Sequence, residues 1–352
     1  MATFLSDQTS GGTSAVGIRE DLSDVITRIA PTETPVYTSL KKETVKNALY
    51  EWQVQELAAA SASNAIEEGA DAAAASHVAT SRVSNRTQIS AKYGQVSGTL
   101  DAVDTAGRAR ETAYQKMLKG LELRRDIEKT ILTPQVSAAG VSGSSARTTG
   151  TLAAYISNFT AAAQDQTSMN DAAADAAPAD AATTGYNFGA YDLDSDAGAN
   201  IPDFTGSDRA LALGLIDEQM QEAFTDGGQP NIMVVSPANK ANFSDLGLGA
   251  TTVVDNQINQ TAAKPASVVG AVSVYLTDFG QLDVVVDRFA SNDAVYLLDT
   301  EYASVVNLPG RNFKVEDLAK AGDSTKFQII CEWGMKVLAP KAHAAIYDLS
   351  GA

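Results

Sequence analysis

Residues 101–132 read DAVDTAGRARETAYQKMLKGLELRRDIEKTIL, and the rest of the chain is best read outward from them. Ala106, Ala109, Ala113, Met117 and Leu121 recur at steps of three and four, which places them on one stripe of a helix. Asp101 or Asp104 stands where a carboxylate can accept from the unpartnered N–H groups of a first helical turn. Thr133-Pro134 ends the run, because proline lacks the N–H and clashes with the preceding turn. At about 1.5 Å per residue the rod would be roughly 48 Å long, well beyond the usual helix of about 11–12 residues. The stripe thins after Leu121, where Arg124 and Arg125 interrupt it and Ile127 and Ile131 resume it. Such a helix is either the core of a large domain or a spine along an extended subunit that completes itself against neighbours.

Upstream, residues 1–48 form a polar arm, Gly/Ser/Thr-rich at its start and punctuated by Pro31 and Pro35. Residues 49–57 (LYEWQVQEL) alternate as a strand does, and 81–100 (SRVSNRTQISAKYGQVSGTL) offer a second extended run. The small-residue stretch between them has little to bury, so 49–100 read as a long projecting hairpin whose tip lies on a partner. Downstream, residues 136–206 hold eight Asp, one Arg (Arg147) and no Lys or Glu, and read as an acidic surface insertion with a small aromatic core of its own. From residue 207 the pattern sharpens. Leu213, Ile216, Met220 and Phe224 mark a helix that stops at Gly227-Gly228. Residues 231–235 (NIMVV) read as a buried strand, and Ser236-Pro237 as a cap followed by proline at the first helical position. From 267 onward the chain is mostly strand. Helices in the middle and strands towards both ends predict an α+β fold.

The chain of 352 residues is 44% hydrophobic and can bury a sizeable core. No run approaches the roughly 18 apolar residues a membrane helix needs, and MATFLSDQTSGG lacks the basic and apolar regions of a secretory signal. Cys331 is the single cysteine, so no intrachain disulfide forms; in the run FQIICEWGM it reads as a small buried hydrophobe. The net charge of −17 argues against a dedicated nucleic-acid binder, which needs Lys and Arg to neutralise phosphates.

Catalytic chemistry finds little footing. His77 and His343 fall in different predicted elements, with no partner set for a metal site or a nucleophilic relay. Gly12 and Gly17 lie in a Gly-rich start, but Ile18 stands where a phosphate loop needs lysine. Asp192, Asp194 and Asp196 are spaced like the ligands of a Ca²⁺ loop, with Asp203 twelfth. Gly198 is seventh where the turn needs glycine sixth, so an acidic solvated loop is the default reading. Glu67, Glu68 and Asp71 show no sign of a dry pocket. No catalytic or cofactor-binding residue and no cofactor are expected. A large chain with a spine helix, a projecting hairpin, a polar arm and no readable site points to a building block that reaches other copies; an enzyme with an unread site is the remaining class.

Residues 101–132, the stretch NIMVVSPANK and the run FKVEDLAKAGDSTKFQIICEWGMKVLAPKAHAAIYDL resemble, in this order, a family of tailed-phage major capsid proteins. The resemblance implies the Hong Kong ninety-seven-type capsid fold. On it, 1–48 would be the N-terminal arm, 49–100 the extended loop, 101–135 the spine of a peripheral domain and 207–300 the axial domain. Strands within 301–352 would return to the peripheral domain (324–338) and to the axial one (341–349). The protein would be a structural subunit, not an enzyme, self-assembling through hexamers and pentamers into the icosahedral head of a virion that encloses double-stranded DNA. Assembly would take place in the host cytoplasm, with separate scaffolding and portal proteins and a possible decoration protein. Some relatives lock the shell covalently through an extended-loop lysine; none stands between Lys46 and Lys92, so locking here should be non-covalent. About thirty residues precede the first strand, too few for the long scaffolding segment that some relatives carry, and the segment 136–206 would decorate the outside or bridge capsomers. A cellular shell of the same fold enclosing cargo protein is the alternative implied.

Overall fold

A computed structural model of the chain describes residues 31–55, 80–103, 107–108, 110–156, 158–160, 209–249, 273–320 and 322–350, with isolated positions between 57 and 71. It also describes the backbone of a two-residue strand pair, β1 (Thr9–Ser10) and β2 (Thr13–Ser14). The order continues with α1 (Pro35–Ser39), β3 (Lys41–Thr44), β4 (Leu49–Val54), β5 (Ser81–Arg86), β6 (Gln88–Ser97), α2 (Gly98–Ala102), α3 (Glu111–Leu132), α4 (Leu152–Tyr155) and β7 (Asn158–Thr160). After these come α5 (Leu213–Thr225), β8 (Ile232–Val235), α6 (Pro237–Gly249), β9 (Val274–Thr277), β10 (Gly280–Val286), β11 (Val295–Leu298), β12 (Ala303–Asn307), β13 (Lys314–Asp317), β14 (Ser324–Val337) and β15 (Ala344–Ile346).

β14 organises the first sheet. Its fourteen residues pair antiparallel with β6 along one edge, and with β13 and then β12 along the other; β3 adds in parallel beyond β12. Successive strand residues point to opposite faces. Accordingly Phe327, Ile329, Cys331, Trp333, Met335 and Val337 are all buried on one face, and α3 lies across that side of β6 and β14. Leu123, Ile127, Ile131 and Leu132 of the helix complete this core.

The second sheet runs β7-β15-β11-β8-β10-β9. Its central strands are apolar on both faces, as strands covered on both sides must be. From β8 and β11, Val234, Tyr296 and Leu298 join the first core. Met233, Val235, Val295 and Leu297 join a second core with Ile216, Met220 and Ala223 of α5 and Phe243 of α6. β14 and β15, neighbours in sequence, thus lie in different sheets.

Three expectations change in detail. The long helix starts at Glu111, not 101, and is roughly 33 Å long at 1.5 Å per residue. Gly107, with φ +76°, takes a left-handed turn that an L side chain resists, and separates α2 from α3. Asp101 nevertheless serves as the cap: its Oδ1 accepts from the Thr112 N–H at 3.1 Å across the break. Asp104, Ala106 and Ala109 lie outside the described residues. The paired hairpin comprises only β4 and β5, six residues each; at Thr87, whose N–H donates to the Ala48 carbonyl (2.8 Å), the chain leaves it and β6 joins the main sheet. Within the stretch read as a surface insertion, 141–146 are exposed but 149–156 are not: Leu152, Ala153, Ala154, Tyr155 and Ile156 are buried in the first core, and β7 follows as an edge of the second sheet.

Candidate interaction surface

The chemistry-bearing residues singled out in the sequence do not converge. Among the described residues no group of three or more His, Cys, Asp or Glu is placed to hold a metal. Asp192, Asp194, Asp196, Asp203, His77, Gly12 and Gly17 lie outside the described residues. Glu67, Glu68 and Asp71 are exposed near the end of the hairpin. His343 is fully buried, its Nδ1 accepting from the Asp299 N–H at 3.1 Å, and burial lowers its pKa to about 4. Cys331 is buried in the core face of β14, and burial pushes its thiol up to about 11, far from the thiolate that reactivity requires.

The arrangement instead braces a projecting hairpin. Tyr50 stacks on Trp52 (centroids 6.0 Å apart), and Trp52 meets Tyr155 at 5.8 Å. The Tyr50 hydroxyl donates to the Met335 carbonyl at 2.5 Å and the Tyr155 hydroxyl to the Ser84 carbonyl at 2.9 Å. The buried Asn85 amide donates to Gly150 O (3.0 Å) and Met335 O (2.7 Å), while its Oδ1 accepts from the Gly150 N–H (2.8 Å). Beside these, the buried Glu332 carboxylate meets Arg147 at 2.5 Å and Arg311 at 2.7 Å, and accepts from the Thr87 hydroxyl at 2.8 Å. A carboxylate this buried is tolerated only when its lone pairs and charge are matched. Arg147, the single cation of 136–206, supplies one match. Two signals in the sequence mark this node: a glutamate inside the apolar run IICEWGM, and a lone arginine in an acidic stretch.

Beyond the braced base the protomer presents apolar side chains to solvent. Leu57 and Ile66 stand exposed past the hairpin arms. Ile89 and Tyr93 of β6 are exposed on the face of the first sheet opposite its core, where Tyr93 pairs across to Gln328. On α3, Ala113 is exposed and Met117 is 50% exposed. Val274 and Leu276 project from β9, the outer strand of the second sheet. Scattered apolar residues are ordinary, but these recur on the hairpin, the helix and a strand edge, where other copies of a chain would pack.

Phage capsid structures are among the solved structures that align with the chain. The capsid asymmetric unit of cyanophage A-1(L) aligns with a TM-score of 0.61 at 13% identity, covering 94% of this chain and 97% of that one. The Gordonia phage Cozz structure aligns at 0.57 and 10% identity, covering 99% and 98%. The molecule therefore has the Hong Kong ninety-seven-type capsid fold. The sequence is 26% identical over 341 residues to the major capsid protein of Escherichia phage Phieco32, covering 95% of each chain. The profile of the SU10 major capsid protein family matches residues 5–350, and the chain belongs to that family. It is a phage major capsid protein, a structural subunit and not an enzyme.

Proposed function

We propose that the protomer forms hexamers and pentamers that close an icosahedral head, and that its exposed apolar positions are the surfaces joining one copy to the next. In this reading the first sheet with α3 is the peripheral domain and the second sheet with α5 and α6 the axial domain. The β4–β5 hairpin is the extended loop, laid on a neighbour. The observation that carries this is the hairpin itself: its base is tied down by Tyr50, Asn85 and Tyr155, while Leu57 and Ile66 beyond it are 97% and 80% exposed. The head is assembled in the host cytoplasm with separate scaffolding and portal proteins. A decoration protein is a further candidate partner, since the solved structure of phage G major capsid proteins (TM-score 0.51, 12% identity, 97% and 99% covered) also holds decoration proteins. An acidic chain of net charge −17 lines the DNA compartment without adhering to it.

The test is assembly of the full-length chain, expressed with its scaffolding partner, followed by size-exclusion chromatography and negative-stain electron microscopy. Closed shells or ring-shaped capsomers are expected, and a chain with residues 57–71 replaced by a short glycine linker should stay unassembled yet folded. Shells forming equally well without those residues would overturn the role given to the hairpin. Non-covalent locking adds a readout: shells boiled in detergent should run as 36.7 kDa monomers.

A further inference from the structure

Glu128 lies on α3 with none of its surface exposed. Its Oε1 accepts from the Val36 N–H and its Oε2 from the Tyr37 N–H, both at 2.7 Å, which ties the first turn of α1 to the long helix. Its third neighbour is another acid. Asp287, 1% exposed and just past the end of β10, sets its carboxyl beside that of Glu128. Asp287 Oδ1 accepts from the Phe289 N–H at 2.8 Å, and Oδ2 receives no N–H or hydroxyl donor. Ionised carboxylates carry acceptors only, so two of them cannot bond to each other. One proton between them supplies the missing donor and removes one of two like charges from the interior.

We infer that Glu128 and Asp287 share a single proton and form a pH-sensitive latch that fastens the chain entering at α1 to α3 and to the second sheet. The groups facing the pair are Tyr37 from α1, Lys42 from β3 and Arg124 from α3 itself, with Arg125 over the Phe289 ring at 5.6 Å. Of the two nearby cations, the Lys42 ammonium donates to the Tyr37 carbonyl and Arg124 to the Thr38 hydroxyl at 2.8 Å.

Burial, and then the bond to Asp287, raise the Glu128 pKa to about 8 against the opposing pull of the two N–H groups. A carboxyl raised in the folded state holds a proton that the unfolded chain has lost. Its stabilising effect is therefore full below about 4.5, falls as pH rises, and levels off above about 8. His343, lowered by burial to about 4, acts in the opposite sense between there and about 6.5. Lys42, lowered by burial to about 8, acts above that value. The interval from about pH 6.5 to 8 isolates the pair.

The test compares urea unfolding of the full-length, unassembled chain with Asp287→Asn, whose amide N–H takes the place of the shared proton while its oxygen keeps the Phe289 N–H. The unfolding constant of the parent should rise by up to about tenfold per pH unit across this interval relative to the variant. Protection of the Val36 and Tyr37 amides, with the base-catalysed rise of intrinsic exchange divided out, should fall in the parent over the same range and not in the variant. Infrared spectra at pH 7 should show one protonated carboxyl in the parent and none in Asp287→Asn or in Glu128→Gln. Equal pH slopes in parent and variant, or no protonated carboxyl at pH 7, would overturn the shared proton. Should neither variant fold, an infrared titration of the parent decides: a single carboxyl losing its proton near 8 supports the latch, and its absence removes it.

Discussion

The two halves of α3 are one continuous helix with opposite fates. After Gly120, Leu123, Ile127, Ile131 and Leu132 are each at most 1% exposed, and even Glu128 is buried. Before it, Met117 is half exposed and Ala113 faces solvent. Met117, Arg124 and Glu128 follow one another by seven and then four residues, so they share a flank of the helix. In the second half α1 covers that flank, through Thr38 on Arg124 and the Val36 and Tyr37 N–H groups on Glu128. In the first half no described residue takes that place. The sheet side there is met by Lys116, which reaches Asp317 at 2.7 Å and lies over the Phe327 ring. One half of the helix completes a protomer; in the function proposed above, the other half is left for the assembly.

This contrast can be broken at its buried end. Ile127→Ala removes a fully buried side chain of the first core, and should cost about 2–5 kcal/mol of unfolding free energy in denaturant titration. At the junction, Gly120→Ala sharpens the comparison. An added Cβ would meet only Ile329 Cδ1, at 4.0 Å, so the helix gains without a clash, and stability should rise by about 0.5–1 kcal/mol. At the exposed end, Met117→Ser should move the unfolding midpoint by less than about 0.5 kcal/mol. It should nevertheless lower the yield of closed shells seen by electron microscopy. A large loss of monomer stability at Met117, or none at Ile127, would reverse the assignment of the two halves.

Periodicity made the helix legible but not its boundary with solvent. Thr133-Pro134 stops α3 as expected, since the chemistry of a helix end is local. The same holds for Gly227, at φ +90°, with Gly228 donating to the Ala223 carbonyl at 2.8 Å, and for Ser236, which accepts from the Asn239 N–H at 3.2 Å. The start at Glu111 was hidden because nothing in the residues between Asp101 and Arg110 forces Gly107 into a left-handed turn. The buried part of the segment, 149–156, looked like surface because the small residues around it bury little area. Its place in the structure comes from the Gly150 backbone N–H and carbonyl meeting Asn85, a polar side chain sixty-five residues away. Glu128 was invisible as a buried acid for the same reason: its partners are two backbone N–H groups and a second carboxyl, none of which leaves a pattern along the sequence. At the candidate surface the hairpin was legible as a pair of alternating strands, whereas the departure of β6 from it depended on β14, far downstream.

That last dependence has a temporal side. The strand at the middle of the first sheet is made late: 245 residues separate Thr87 from its partner Glu332. At translation rates of about 5–20 residues per second, β6 and α3 wait roughly 12–50 s for β14 to be synthesised. During that interval the β6 edge has unpaired N–H and carbonyl groups, and the apolar face of α3 has no sheet to cover. A topology closed by distant strands folds slowly and exposes adhesive surface while it does so. A nascent copy therefore needs its own strand to arrive before a neighbour's does, and the crowding of newly made subunits that favours a shell is also what endangers each subunit before it is finished.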